Sequence, residues 1–180
     1  MHLLYNVYNN LAAFYNIAQE EIMKVYIKNK LFSITGKSTV TDASGKPLFD
    51  VKGRAFSPTK VKRICTLDGK TLYKVRNKWF RFLFHSAFIF DADKNRIAKI
   101  KDRIFSPGYD IEVEGATYSI NGKWFSMQSE ILKNGVTVGI VRRQFTVIRD
   151  AFELEAGEED MPFMIAFVVA MDNICDRKKA

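Results

Sequence analysis

Met161-Pro162-Phe163-Met164-Ile165-Ala166-Phe167-Val168-Val169-Ala170-Met171 is the stretch whose reading decides the fold. No polar side chain interrupts it from Pro162 to Met171. A helix here is apolar on every face and must be enclosed by protein or by lipid. Spanning a bilayer takes about 20 apolar residues, whereas about 10–14 marks a buried core helix. Extended to Cys175, the stretch reaches only about 22 Å at about 1.5 Å per residue, and Asp172 interrupts it. It predicts a core helix over residues 160–175 that plugs something hollow and does not span a membrane.

Working outward, the preceding chain has the period of strands. Lys60-Val61-Lys62, Lys74-Val75-Arg76 and Lys99-Ile100-Lys101 each set an apolar residue between two cations, as a strand with one buried and one wet face would. Ser44-Gly45, Asp68-Gly69, Lys94-Asn95, Asn121-Gly122 and Asn134-Gly135 supply turn chemistry between the runs. The strands so delimited are short and number roughly a dozen, the pattern of a sandwich or barrel.

The strand region also repeats itself. Asp42-Ala43, Leu48, Val51, Lys52, Arg54 and Phe56-Ser57-Pro58 return as Asp91-Ala92, Ile97, Ile100, Lys101, Arg103 and Phe105-Ser106-Pro107, at an offset of 49. Tyr73, Val75 and Lys78-Trp79-Phe80 return as Tyr118, Ile120 and Lys123-Trp124-Phe125, at an offset of 45. A fainter echo begins at Asn134-Gly135 with Val138, Val141 and Arg142. Repeated hairpins that cannot each bury their own apolar face share a core, and closing them into a ring removes their edges. Eight strands already just fill a barrel with side chains, so about twelve leave room for a helix down the axis. The fold class is therefore mainly β: a closed antiparallel barrel of about twelve strands enclosing a central hydrophobic C-terminal α-helix. Phe163, Ile165, Phe167, Val168 and Met171 are its structural core. Each large side chain so buried contributes about 1.5–3 kcal/mol. Glu158, Glu159 and Asp160 suit the helix N-terminus, with Asp160 as the expected cap. Asp172 and Asp176 oppose the dipole at the other end and are expected to pair with barrel arginines.

The charge is partitioned. The net +8 combines 25 Lys+Arg against 10 Asp+Glu over residues 24–149 with eight acidic and no basic side chains over 150–176. Arg177, Lys178 and Lys179 form a basic tail over 177–180. Cys65 and Cys175 make no disulfide framework, which favours a reducing cytoplasm, and no secretory signal precedes the domain. Leu3, Leu4, Val7, Tyr8, Leu11, Phe14, Tyr15, Ala18 and Ile22 recur at helical spacing. Residues 1–22 thus read either as a peripheral amphipathic helix or as leader sequence before a start at Met23. The second reading notes that Gln19-Glu20-Glu21-Ile22-Met23 can be encoded with a ribosome-binding sequence just upstream of the Met23 codon. One domain over 23–176 is expected on either account.

At this point the chain resembles the LURP-one-related family, including its bacterial members, within the tubby C-terminal-like superfamily. The resemblance rests on Asp42-x-x-Gly45-x-x-Leu48-Phe49-x-Val51-x-Gly53, His85-Ser86-Ala87-Phe88-Ile89-Phe90-Asp91 and Asp150-x-Phe152-x-Leu154. The Phe163–Ala170 run ending in Met171-Asp172 completes it, and it covers residues 23–175. It implies a twelve-stranded antiparallel barrel around a central C-terminal helix. Tubby-like domains bind phosphoinositides, scramblases share the domain, and plant members are linked to defence. No lipid-binding residue of the superfamily maps onto this chain by a short motif.

No catalytic constellation emerges. His85 follows Phe82 and Phe84 and reads as a packed strand residue. Cys65 and Cys175 read as small core hydrophobes. Gly36-Lys37-Ser38 echoes the end of a phosphate loop, but Leu31 stands where that loop needs glycine. No enzyme, cofactor or metal is expected. The remaining signal is cationic: Lys60, Lys62, Arg63, Lys74, Arg76, Lys78 and Arg81, with Trp79, Phe80 and Phe82 interleaved. This set suits an anionic phospholipid or phosphoinositide surface, where each cation is worth about 1 kcal/mol. It also suits single-stranded nucleic acid, whose bases stack on rings. A protein-interaction scaffold is a further alternative, with the rings inside the barrel and the cations merely solvated. A scramblase-like role would require the terminal helix to leave the barrel. The expected location is the cytoplasm, peripheral to the inner membrane face.

Overall fold

The computed structural model describes residues 21–28, 37–54, 57–78, 86–103, 109–121, 128–145 and 150–178. Twelve strands precede one helix. They are β1 Ile22–Lys28, β2 Lys37–Thr41, β3 Pro47–Gly53, β4 Lys62–Cys65, β5 Thr71–Asn77 and β6 Ser86–Phe90. Next come β7 Arg96–Asp102, β8 Tyr109–Val113, β9 Ala116–Asn121, β10 Gln128–Lys133, β11 Val136–Phe145 and β12 Asp150–Gly157. The helix α1 spans Met161–Lys178, 18 residues. Each strand pairs antiparallel with its sequence neighbours, and β1 pairs with β12 to close the ring. The expected barrel and its central helix are both present.

Turn chemistry sets the hairpins. Between β2 and β3, Asp42 Oδ1 accepts the N–H groups of Ser44 at 2.8 Å and Lys46 at 2.9 Å, while Gly45 takes φ +87°. Between β6 and β7 the same turn recurs: Asp91 Oδ1 accepts the Asn95 N–H at 2.8 Å, and Lys94 takes φ +70°. The backbone bonds match too, Asp42 N–H to Lys46 O and Asp91 N–H to Asn95 O, both at 3.0 Å. The offset-49 repeat is thus a physical one, four strands apart. Between β10 and β11, Asn134 and Gly135 take φ +53° and +83°, the positive pair that a two-residue hairpin turn requires. Of the five turn signals, only Asn121-Gly122 falls partly outside the described residues. Residues 1–20, Trp79, Phe80, Arg81, Phe82, His85 and Gly36 lie outside them as well. Lys37 and Ser38 open β2, so strand geometry accounts for that part of the loop-like motif.

Most inward side chains are small or medium: Val25, Ile27, Val40, Val51, Ile64, Val75, Ala87, Ile89, Ala98, Ile100, Ile131 and Val141 are all buried, with Tyr118, Phe152 and Leu154 among the larger ones. They leave an axial space that α1 fills. Phe163 through Cys175 are buried without a break, Ile165, Phe167 and Met171 completely and Val168 to 1% exposure. The second repeat now acquires a role. Tyr73 on β5 and Tyr118 on β9 both meet Phe163 edge-on, with ring centroids 5.9 and 6.0 Å away. Tyr118 also lies against Phe167. Burial, with a smaller contribution from Asp160, pushes the Tyr118 hydroxyl up to about 12.

Two local expectations fail. Lys60-Val61-Lys62 does not alternate like the other triplets, because Lys62 is itself the buried residue, with Arg63 exposed and Ile64 buried beside it. Lys60 sits at φ +45° in the β3–β4 connection, which resets the phase. Asp172 pairs with a barrel lysine where an arginine was expected: Lys62 Nζ lies 3.9 Å from its Oδ2, both side chains under 10% exposed. The Asp176 side chain lies outside the described set.

Candidate functional site

The expected cations separate into three groups. Lys62 points into the barrel at Asp172. Lys60 is half-buried in a turn, its carbonyl accepting the Asn173 amide at 3.0 Å. Arg63, Lys74 and Arg76 face outward, since Ile64 and Val75 take the inward positions next to them. Lys78 follows β5 and is exposed. Lys62 thereby leaves the set anticipated from the sequence, because an ammonium inside the barrel cannot meet an external ligand, and Arg81 lies outside the described residues.

The register supplies partners that sequence spacing did not. Lys37 on β2 faces Lys52 on β3, Lys52 faces Arg63 on β4, and Arg63 faces Lys74 on β5. Four cations thus form one row across four strands, about 14 Å at the usual strand spacing. Directly opposed like charges destabilise a sheet. Asp50 relieves one end, 3.6 Å from Lys37 Nζ and 3.8 Å from Lys52 Nζ. Among the described residues Arg63 and Lys74 meet no carboxylate. Beyond Lys74 the row continues to Phe90 on β6 and Arg96 on β7.

Outward rings accompany the cations, and they come from β6, since the expected Trp79, Phe80 and Phe82 lie outside the described residues. Ala87 and Ile89 are buried, so Phe88 and Phe90 face out, half-covered, with centroids 6.4 Å apart. Arg76 lies 4.9 Å over Phe90 and Arg96 lies 5.6 Å over Phe88. In sequence, Ala87-Phe88-Ile89-Phe90 is apolar throughout and hides which two residues face out. The only usable signal was the alternation of small or branched residues with aromatic ones.

Across β1, β11 and β12, on the other side of the ring, two carboxylates gather the cations. Glu155 receives Lys24 at 2.6 Å and Arg142 at 3.0 Å. Glu153 receives Lys24 at 3.3 Å, Arg142 at 3.0 Å and the Gln144 amide at 2.7 Å. The hydrogen bond from Lys24, then that from Arg142, holds the Glu155 carboxyl below its ordinary value. Where β7 meets β8, Lys99 pairs with Glu112 at 2.8 Å, and Arg103, just past β7, pairs with Asp110 at 2.7 Å. Composition follows the same division: residues 37–102 hold 16 Lys+Arg against 6 Asp+Glu, and residues 109–157 hold 5 against 7. The surplus positive charge therefore belongs to the β2–β7 wall.

A closed antiparallel ring plugged by its own C-terminal helix is a tubby-like barrel. A family model described as LURP-one-related matches residues 23–172, and the chain belongs to that family. The fold is similar to that in an X-ray structure of an Arabidopsis thaliana protein, with a TM-score of 0.58 and 14% identity. The likeness covers 85% of this chain and 93% of that one. A search of curated protein sequences gives no match.

Proposed function

We propose that the protein is a non-catalytic module that lays its β2–β7 wall on anionic phospholipid headgroups, peripherally at the cytoplasmic face of a bacterial inner membrane. The observation that carries this reading is the outward row Lys37–Lys52–Arg63–Lys74, whose like charges oppose each other directly and are only partly offset by Asp50. Such a row costs the sheet stability, and an external anion would recover that cost. Family membership and the barrel fold support a binding module. The interior is taken up by α1, which leaves the outer wall as the recognition surface. No helix among the described residues is long and apolar enough to cross a membrane, which favours surface docking over insertion of α1.

The test is co-sedimentation with anionic vesicles at low salt, run beside a titration with a single-stranded oligonucleotide. Vesicle binding without oligonucleotide binding is expected. At about 1 kcal/mol per cation, Arg63→Ala with Lys74→Ala should weaken vesicle binding about thirtyfold. Lys133→Ala on β10 should change it little. Binding to the oligonucleotide alone would reassign the wall to nucleic acid, and binding to neither would leave a protein-interaction scaffold.

A further inference from the structure

The two arginines over β6 are arranged differently from the rest of the wall. Arg76 comes from β5 and stands opposite Phe88, yet its guanidinium leans over Phe90. Arg96 comes from β7 and stands opposite Phe90, yet it leans over Phe88. Both heads therefore converge over one strand from opposite sides, each laid on a ring. A cation–π contact holds each guanidinium at a ring and leaves N–H groups free to donate. Both arginines are exposed, and among the described residues neither meets a carboxylate. The nearby Asp91 carboxylate is occupied by the Asn95 backbone N–H and side-chain amide.

Resting on the lipid-docking reading, we propose that Arg76 and Arg96 form a clamp for a phosphate monoester carried on a membrane lipid. A planar fork matches two phosphate oxygens at once. A monoester offers three terminal oxygens and close to two negative charges, enough for two forks. A phosphodiester or carboxylate headgroup offers two such oxygens and a single charge. The convex wall gives a small soluble anion no enclosure, whereas a membrane presents many headgroups together, and the Arg63–Lys74 row beside the clamp holds the wall against them. Phe88 and Phe90 supply half-covered apolar surface at the level of the headgroups.

The experiment compares the full chain on phosphatidylcholine vesicles containing phosphatidic acid or phosphatidylserine, matched in surface potential. The wild type should prefer phosphatidic acid about tenfold. R76K/R96K, which keeps the charge and removes the fork, should lose that preference and hold phosphatidylserine binding within about twofold. R63A/K74A should weaken both lipids alike. Thermal melts of each variant establish that it is folded. Equal binding of the two lipids by the wild type, or a preference that survives in R76K/R96K, overturns the clamp and leaves the docking wall standing. Absence of binding to every vesicle overturns the docking wall itself. Glycerol 3-phosphate should not compete below millimolar concentration, and competition at micromolar levels would overturn the assignment to a lipid.

Discussion

Lys62 and Asp172 show what a single residue can specify in this barrel. A helix that is apolar all round can rotate or slide in an apolar tube without losing much burial. A polar contact at one depth removes that freedom. Lys62 meets Asp172, the Asn77 side-chain amide donates to the Asn173 carbonyl at 3.1 Å, and the Asn173 amide donates to the Lys60 carbonyl. All three contacts lie near the C-terminal end of α1 and fix its depth and rotation. Breaking a buried pair from one side costs about 3–5 kcal/mol, whereas replacing both partners by apolar groups is often neutral. Lys62→Met or Asp172→Leu alone should therefore lower stability to urea sharply, and the double variant should recover most of the loss. Additive losses would mean that the pair does not act as a unit. The outer network gives a second prediction, in pH. Because the folded Glu155 carboxyl lies below its ordinary value, its stabilising contribution is present above the unfolded value and is lost as pH falls through the folded one. Lys24→Met removes the first cause of that depression. Its acid unfolding, followed by circular dichroism, should begin at a higher pH than in the wild type. An unmoved acid limb would show that Lys24 contributes nothing to holding Glu155 ionised. None of these partners was legible in the sequence, because Lys62 and Asp172 are 110 residues apart and a lysine between Val61 and Arg63, in a run of cations, reads as solvent-facing.

Elements were far more legible than residues, because their causes are local. Alternation marks β5 and β7, positive-φ residues mark the hairpins, and ten unbroken apolar positions mark α1. What failed locally was phase: a turn residue at Lys60 shifted β4 by one position and carried Lys62 indoors. The apolar run of β6 failed for another reason, since a strand apolar on both faces does not announce which face is wet. For α1 the complete burial of Ile165, Ala166, Phe167, Val168 and Val169 makes a graded prediction. Phe167→Ala leaves a cavity between the helix and Tyr118 and should cost about 3–5 kcal/mol. Aspartate at any of the five consecutive positions buries a charge without a partner, and together these positions cover every side of the helix. Thermal melts of the five aspartate variants should all fall well below wild type. Near-native melting at any two would mean that the helix has an open side.

At the scale of the whole molecule, closing the ring and filling it are one event. β1 and β12 meet over seven register pairs, from Ile22 opposite Gly157 to Lys28 opposite Ala151. The ring is therefore incomplete until the final strand is in place, and α1 begins four residues after that strand ends. The wall presents its helix mostly with valines, isoleucines and alanines, joined by a few larger residues such as Tyr118, Phe152 and Leu154, too little to fill the axis of a twelve-stranded ring. A ring without α1 can neither fill its centre nor collapse without breaking strand pairs. Truncation after Gly157 should thus abolish cooperative unfolding. The shortened chain should keep far-UV strand signal, lose near-UV signal from Tyr73 and Tyr118, and bind a hydrophobic dye, the marks of a molten state. Adding a peptide of residues 158–180 should restore part of the near-UV signal, because the missing burial is supplied by that segment alone. A truncated barrel that melts cooperatively with native near-UV signal would show that the wall sustains itself, and α1 would then be a ligand of the barrel and not its core.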